Sequence, residues 1–214
     1  MKHIISVKDL TIKFENNCVF SNLNLKVVKG DKVAIIGESG SGKTTLINTL
    51  CGFNTNFKGE ILIKGIPLNK ENTAEIRKHI SWLPQELTNN IQNTEDLFFY
   101  PFTFKANRHL YPSKNEIEKI FNEFGLSYQI LQKKVQEISG GQKQRLVLAS
   151  IILLKKDIIF LDEPTSALDE KNVEKVVNYL LQNKDLTIVA TSHNKLWIDN
   201  STKVLNIEDY ARND

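Results

Sequence analysis

The pattern of apolar positions divides the chain into three parts with different predicted secondary structure. In the first part, short runs that alternate or are rich in β-branched residues predict strands at 4–7, 10–14, 23–28, 60–64 and 80–83. Residues 33–36 are apolar without interruption, which is typical of a strand covered on both faces of a parallel sheet. A helical pattern with Leu46, Ile47 and Leu50 on one face follows this strand.

The middle part, from about residue 85 to residue 156, has the spacing of helices and lacks strand signals. Residues 115–124 place their apolar side chains on one helical face, so we expect an amphipathic helix there. Residues 142–154 are apolar nearly all round, which predicts a buried helix.

Strands and helices alternate again after residue 156. Strands are predicted at 158–161, 187–190 and 204–207, and a helix is predicted at 170–182. This alternation indicates βαβ units and a parallel sheet, hence an α/β fold. We expect a core formed by residues 1–84 and 157–214, with residues 85–156 inserted as a helical subdomain.

Composition narrows the classes of function. A chain of 214 residues suits one domain, or one core with an inserted subdomain. Its 28 basic and 25 acidic residues give a net charge of +3 without a basic run, so we expect no nucleic-acid partner. The longest uncharged apolar run is residues 146–154, whereas a membrane span needs about 20 residues, so we expect no membrane insertion. Two cysteines fit a reducing compartment and predict a cytoplasmic protein.

A glycine-rich loop carries the first chemical signal. Gly37 to Thr44 fits the pattern G-x-x-x-x-G-K-[ST], after a predicted buried strand and before a predicted helix. Such a loop turns its backbone N–H groups inward around phosphates, and the helix adds its positive end. A simple glycine turn with an incidental lysine is the alternative, and the context disfavours it. We expect phosphate contacts from Gly37, Glu38, Ser39, Gly40, Ser41, Gly42, Lys43, Thr44 and Thr45, with the Thr44 hydroxyl placed for Mg²⁺.

Polar residues follow two later strands of the predicted sheet. Asp162 and Glu163 end the strand at 158–161, and His193 follows the strand at 187–190. Because ligands bind at the carboxyl ends of parallel strands, we expect these residues beside Gly37. Asp162 would hold Mg²⁺, Glu163 would act on an attacking water and His193 would lie at the γ-phosphate. The alternative is that Asp162 and Glu163 are ordinary charges at the start of a loop. The predicted phosphate loop at the same edge disfavours this alternative.

A second anion site is predicted where Ser139-Gly140-Gly141 precedes the buried helix, because a hydroxyl and free N–H groups meet at a helix N-terminus. The whole stretch Ile138-Ser139-Gly140-Gly141-Gln142-Lys143-Gln144-Arg145 resembles the signature motif of ABC ATPases, the ATP-binding subunits of ABC transporters. Trp82-Leu83-Pro84-Gln85 is similar to the Q-loop of that family, and Ser166-Ala167-Leu168-Asp169 to its D-loop. His193 matches its switch histidine, and Phe14 stands where an aromatic residue stacks on adenine. The motifs are in family order from about residue 7 to residue 207.

The resemblance implies a fold, a partner and a set of roles. The fold would be a P-loop NTPase core of RecA type, with an N-terminal antiparallel β subdomain and an inserted helical subdomain that carries the signature. Two copies would pair head to tail, each ATP lying between one phosphate loop and the other copy's signature. Catalytic roles fall to Lys43, Gln85, Glu163 and His193, nucleotide contacts to Phe14, Ser139, Gly140, Gly141, Gln142 and Asp169, and Mg²⁺ binding to Thr44, Gln85 and Asp162.

Two positions depart from the family pattern: Phe14 replaces the commoner Tyr, and Ser150 stands where many relatives have Arg. Neither removes a catalytic group, so we expect ATP hydrolysis that drives a separate transmembrane permease, with the chain held at the inner face of the cell membrane by that partner. Two alternatives remain: a non-transport ABC-type ATPase of DNA repair, translation or cell division, and a regulatory ATP-binding module without turnover. The aromatic segment 98–104 is either core of the helical subdomain or part of a groove for a permease helix.

Overall fold

The structure is a computed structural model that describes residues 2–14, 17–86 and 90–210; of Phe14 and Asn17 only the backbone is described. In the described ranges the strands are β1 Ile5–Phe14, β2 Asn17–Val27, β3 Lys32–Ile36, β4 Lys58–Ile63, β5 Ile66–Pro67, β6 Ile80–Leu83, β7 Ile158–Asp162, β8 Ile188–Thr191 and β9 Lys203–Asn206. The α-helices are α1 Lys43–Leu50, α2 Thr73–Arg77, α3 Thr94–Thr103, α4 Lys114–Glu123, α5 Gly140–Leu153, α6 Glu170–Gln182 and α7 Lys195–Asp199.

The strands form two sheets. One is antiparallel and has the order β2-β1-β4-β5. The other is parallel and has the order β6-β7-β8-β3-β9. The α/β fold class, the parallel sheet and the N-terminal antiparallel sheet are therefore confirmed. The proposed boundaries of the helical subdomain, residues 85–156, stay a prediction.

Alternation along the strands of the parallel sheet creates two hydrophobic cores. In β7, Ile158 and Phe160 pack into a core shared with the antiparallel sheet and α1. Their neighbours Ile159 and Leu161 face the opposite way, into a core shared with α3, α4, α5 and α6. Because successive side chains of a strand point to opposite faces, an unbroken apolar run covers both faces at once. The parallel sheet is thus the middle of three layers.

Side-chain hydrogen bonds to backbone carbonyls fix the helical layer around α5. The Ser150 hydroxyl, fully buried in α5, donates to the Phe98 carbonyl of α3 at 2.5 Å. The Arg145 guanidinium donates to the carbonyls of Phe124 and Gly125 at 2.6 and 3.2 Å, just after α4 ends. A buried cation placed on free carbonyls at a helix C-terminus satisfies acceptors that the helix itself leaves open. These bonds fix α5 at two points, one in each half of the helix.

The N-terminal strands differ from the expectation. The two short strands predicted at 4–7 and 10–14 form one strand, β1, with a break in its pairing near Asp9, whose φ is 50°. A bulge adds residues to one strand of a pair and bends it, which the alternation of side chains alone does not reveal. Gly59 of β4 lies opposite this bulge.

Helix α3 was not predicted from the apolar pattern. Its run of aromatic residues has a low helix propensity, and Pro101 inside it removes a helical N–H. The helix forms because Phe98 and Phe102 are buried in the helical layer, where Phe98 packs edge-to-face on Phe121 of α4. Tertiary packing thus overrides local preference here.

Gly59→Ala tests the bulge. An added Cβ would lie 2.5 Å from the carbonyl oxygen of Asp9 and 2.6 Å from that of Lys8, at a φ of +99°. We expect a loss of about 2 kcal/mol or more in the free energy of unfolding, because backbone atoms cannot move aside. Gly65→Ala is the matched control: φ is +82° but a Cβ would meet nothing within 4 Å, so about 1 kcal/mol is expected. Equal losses in urea unfolding would contradict this account.

Candidate functional site

The carboxyl ends of three neighbouring parallel strands build the site. Strand β8 pairs with β3 at Ile35–Thr191 and with β7 at Asp162–Thr191. These pairs bring the loop after β3, the carboxylates after β7 and the histidine after β8 to one edge. A cavity of about 450 Å³ opens there, lined by Ser39, Gly40, Gly42, Lys43, Thr44, Thr45, Gln85, Asp162, Glu163, Ser166 and His193.

The loop conformation depends on glycine where it meets α1. Gly42 immediately precedes α1 and has a φ of 98°. A Cβ at this position would lie 2.4 Å from Cγ1 of Val19 in the antiparallel sheet. Only glycine combines this backbone conformation with such a close approach. The antiparallel sheet therefore supports the phosphate loop from behind.

Polar groups of the loop form hydrogen bonds within the loop and to the segment after β9. The Lys43 ammonium donates to the carbonyls of Gly37 and Glu38 at 2.8 and 2.7 Å. The Ser41 hydroxyl oxygen is buried and has no hydrogen-bond partner among the described residues. The backbone N–H of Glu38 donates to Oε1 of Glu208 at 2.6 Å. A second cavity, of about 570 Å³, joins Gly37, Glu38, Ser39 and His193 to Asn206 and Glu208.

The two carboxylates at the end of β7 have different surroundings. Asp162 is 3% exposed, and its Oδ1 accepts a hydrogen bond of 2.6 Å from the Thr191 hydroxyl. Glu163 has a φ of 49°, rare for a residue with a side chain, which turns it away from the strand. Its Oε1 lies 3.4 Å from Nε2 of His193, which is largely exposed.

Burial raises the pKa of Glu163 above its ordinary value. The charges of His193 and Lys43 lower this pKa in part, and the nearby Asp162 carboxylate raises it further. A carboxyl group with a raised pKa is a stronger base once ionised, and such groups are typical of catalytic sites. The geometry places this base over the cavity that the phosphate loop lines.

The signature residues lie elsewhere. Ser139 caps α5: its hydroxyl accepts from the Gln142 N–H, and the Gln142 side chain accepts from the Ser139 N–H. Ser139 and Gly140 are exposed. They do not line the cavity of about 450 Å³; Gly140 lines a smaller one, of about 150 Å³, with Leu83, Pro84, Gln85, Gln144, Ser166 and Ala167. The two predicted phosphate-binding features are therefore separate within one chain.

One other predicted site residue, Asp169, also lies apart from the cavity. The Asp169 carboxylate caps α6 by accepting from the N–H and the side chain of Asn172. These hydrogen bonds hold the pKa of Asp169 below its ordinary value. The side chain of Phe14 lies outside the described part of the chain. Gln85, an exposed residue after β6, does line the cavity.

Two polar residues that the sequence analysis did not single out connect parts of the site. The Gln144 side chain of α5 donates to the Glu163 carbonyl and accepts from the Ala167 N–H, both at 3.0 Å. Thr191 of β8 bridges Asp162 and the Glu163 N–H. The only sequence signal was their position: Gln144 lies within the signature stretch, and Thr191 lies two residues before His193.

The donor set suits Mg²⁺ better than a metal held by the protein alone. Thr44, Gln85 and Asp162 offer a hydroxyl, an amide and a carboxylate to the same cavity. In the described residues no group of three or more His, Cys, Asp or Glu is arranged to hold a metal ion. Mg²⁺ is commonly held by one or two carboxylates together with substrate phosphates, so this sparse oxygen set fits it.

Residues 20–166 match the family described as ABC transporter. Together with the fold and the site, this match shows that the chain belongs to the ATP-binding subunits of ABC transporters, which are ATPases. The transport interpretation is thereby supported, and the alternative of a non-transport ATPase is not. In the described ranges, no helix has the length and apolar character needed to cross a bilayer.

The relatives include subunits of several transporters. The chain is 33% identical to the energy-coupling factor transporter ATP-binding protein EcfA of Methanocaldococcus jannaschii, over 89% of this chain and 70% of that one. It is 30% identical to the ergothioneine transport ATP-binding protein EgtV of Helicobacter pylori, over 91% and 92%.

Solved structures give the same family. A putative ABC transporter ATP-binding protein from Pyrococcus furiosus superimposes with a TM-score of 0.81 at 26% identity, covering 97% of this chain and 99% of that one. The dimeric post-hydrolysis structure of the ATP-binding cassette MJ0796, bound to ADP and Pi, superimposes with a TM-score of 0.78 at 25% identity, covering 95% and 94%.

Glu163→Gln should stabilise the fold in buffer without metal or nucleotide. Because the folded-state pKa of Glu163 is raised above its ordinary value of 4.5, ionisation of this buried carboxyl destabilises the fold at neutral pH. We expect a higher melting temperature than the wild type near pH 7, with a difference that vanishes as the pH falls below the unfolded pKa, since both states then hold the proton. Glu174→Gln, an exposed position on α6, is the control. A lower melting temperature for Glu163→Gln near pH 7 would refute the assigned burial.

Proposed function

We propose that this chain hydrolyses Mg²⁺-ATP at the cavity lined by the phosphate loop and Glu163, and that it drives a transmembrane permease as one half of a head-to-tail dimer. One observation carries the proposal: a phosphate loop, two carboxylates, a glutamine and a histidine from four separate chain segments line the same cavity. The family membership gives the class of reaction.

The residues around the cavity have different roles in ATP hydrolysis. The N–H groups of residues 37–45 and the Lys43 ammonium bind the β- and γ-phosphates and balance their charge. The Glu163 carboxylate accepts a proton from the attacking water and orients it, a role that its raised pKa favours. His193, 3.4 Å from Glu163, holds the γ-phosphate on the open side.

Mg²⁺ would be held by Thr44, Gln85 and Asp162. When bound, the ion withdraws charge from the phosphate oxygens. The chain itself prepares the place: Asp162 is buried and fixed by the Thr191 hydroxyl, whereas Thr44 and Gln85 are exposed at the rim. Gln85 lies between the core and the helical layer along the chain, so it can report the state of the nucleotide to a partner.

The second copy completes the site. Ser139 and Gly140 are exposed at the N-terminus of α5, a ready anion site that does not reach the cavity of its own chain. In a head-to-tail dimer these residues and Gln142 face the phosphate loop of the other copy. The structure of MJ0796 bound to ADP and Pi is dimeric, which supports a dimeric assembly.

The membrane partner would dock on an aromatic surface of the helical layer. Tyr100, Phe104 and Tyr111 are 48%, 50% and 59% exposed, whereas Phe98 and Phe102 of the same segment are buried. The aromatic segment therefore serves both as core and as surface, and the exposed members follow Gln85 in the chain. Exposed aromatic residues at one place are typical of partner sites, which supports a location at the inner face of the membrane.

Lys43→Ala tests the ATPase proposal. We expect phosphate release to fall by about 100-fold or more, because a charge that acts on the transferring phosphate is removed. Lys133→Ala removes the same charge from an exposed position away from the cavity and should retain wild-type turnover. Chelation of divalent cations with EDTA should abolish turnover in both the wild type and the control. A wild-type chain that binds ATP but releases no phosphate would instead support a regulatory module.

The docking surface is tested by Tyr100→Ser combined with Phe104→Ser. This double variant should lose at least about tenfold in affinity for the integral membrane subunit that co-purifies with the wild type, while its basal ATPase stays unchanged. Val204→Ser changes an exposed apolar residue at the other edge of the parallel sheet and is the control. Full retention of the membrane subunit by the double variant would contradict the assignment.

A further inference from the structure

Thr191 places a hydroxyl beside the Asp162 carboxylate. The two residues are paired in the register of β7 and β8, so their side chains lie on the same face of the sheet. Thr191 is fully buried at the end of a strand that is otherwise apolar, after Ile188, Val189 and Ala190. Its hydroxyl donates to Oδ1 of Asp162 at 2.6 Å. The donated proton leaves the lone pairs of the hydroxyl free for a second bond.

The second bond goes to the backbone of Glu163. The Glu163 N–H donates to Oγ1 of Thr191 at 2.9 Å, immediately after the pairing of β7 with β8 ends. The Thr191 hydroxyl thus takes the place of a backbone carbonyl as hydrogen-bond acceptor for the Glu163 N–H. Glu163 is the residue at which the chain leaves β7. At that residue φ is 49°, a conformation that persists in a non-glycine residue only when its surroundings hold it.

One side chain therefore fixes two neighbouring residues with different roles. Through Oδ1 it sets the orientation of the Asp162 carboxylate, and through the N–H it sets the turn that aims the Glu163 side chain at the cavity. A valine would fill the same volume and provide neither bond. Gln144, which donates to the Glu163 carbonyl from α5, holds the other side of the same turn.

We propose that Thr191 is a positioning residue for both the cation-binding carboxylate and the general base. This inference rests on the proposed function, because it assigns Asp162 to Mg²⁺ and Glu163 to water activation. Removal of the hydroxyl should weaken divalent cation binding and slow turnover, while nucleotide binding without metal stays intact, because the phosphate loop is held by different contacts. Such a supporting partner of a metal ligand typically contributes 10- to 100-fold in metal affinity or activity.

The test compares Thr191→Val with Thr191→Ser. Valine keeps the shape and loses the hydroxyl, whereas serine keeps the hydroxyl and loses the methyl group. Binding of Mn²⁺ to the complex with a non-hydrolysable ATP analogue is measured by electron paramagnetic resonance. Binding of a fluorescent ATP analogue in EDTA, kcat and KM for ATP, and melting temperature are measured beside it.

We expect Thr191→Val to lose about tenfold or more in Mn²⁺ affinity and in kcat, with the nucleotide affinity in EDTA within about twofold of the wild type. Thr191→Ser should stay close to the wild type in every measurement. If Thr191→Val melts below the assay temperature, Thr191→Ala against Thr191→Ser at lower temperature makes the same comparison.

Two results would overturn the proposal: wild-type Mn²⁺ affinity and kcat in Thr191→Val, or an equal loss in Thr191→Ser, which would assign the effect to the methyl group. Neither result touches the proposed ATP hydrolysis, which fails if the wild type itself releases no phosphate. The two failures are therefore distinguishable.

Discussion

The parallel pairing of β3, β7 and β8 is the constraint on which the site depends. Each strand ends at the same edge of the sheet, and each delivers one part of the chemistry there: the phosphate loop, the two carboxylates, or Thr191 and His193. The strands are held in place by side chains that fill a core on either face, so the position of the edge is set by packing on both sides. A change in register of one strand by one residue would separate these groups and turn the apolar side chains of that strand to the wrong core.

The same edge connects the turn at Glu163 to the helical layer. Gln144 holds both ends of the segment from Glu163 to Ala167 from its place in α5, the helix that the exposed Ser139 caps. Added bulk at Gly141 would place a Cβ 2.9 Å from the Ala167 carbonyl, so the helix and this segment are in close contact. Any shift of α5 would therefore reach Glu163 through direct contacts. These contacts connect the N-terminal part of α5 with the turn at Glu163.

Much of this architecture could be predicted from the sequence, because apolar runs and glycine patterns report local requirements. The unbroken run of β3, the loop from Gly37 and the carboxylates after β7 needed only alternation and spacing. Helix α3 could not be predicted in this way, because Pro101 and its aromatic neighbours disfavour a helix and packing against α4 and α5 decides the outcome. The bulge at Asp9 also could not be predicted, because the alternation of apolar and polar residues does not reveal it.

The buried hydrogen bonds of the site also could not be predicted from the sequence. Thr191 forms hydrogen bonds to residues 28 and 29 positions away in the chain. Gln144 forms hydrogen bonds to residues 19 and 23 positions away. Because these distances are long, no local sequence pattern marks either residue. They became visible only when the register of β7 with β8 and the position of α5 were known. The site is thus built from predictable ligand-binding groups and from supports that only the fold reveals.

In the proposed dimer, the signature residues of one copy complete the phosphate loop of the other. Two proteins without native cysteines, one with Ser39→Cys and one with Ser139→Cys, both exposed positions, can be mixed in the Glu163→Gln background. Loss of the proposed general base should slow hydrolysis there, so that ATP stays bound. Oxidation should form a disulfide-linked dimer in the mixture with Mg²⁺-ATP, and neither protein alone nor the mixture with ADP should do so. Absence of the crosslink in ATP-bound dimers of the mixture would contradict the account.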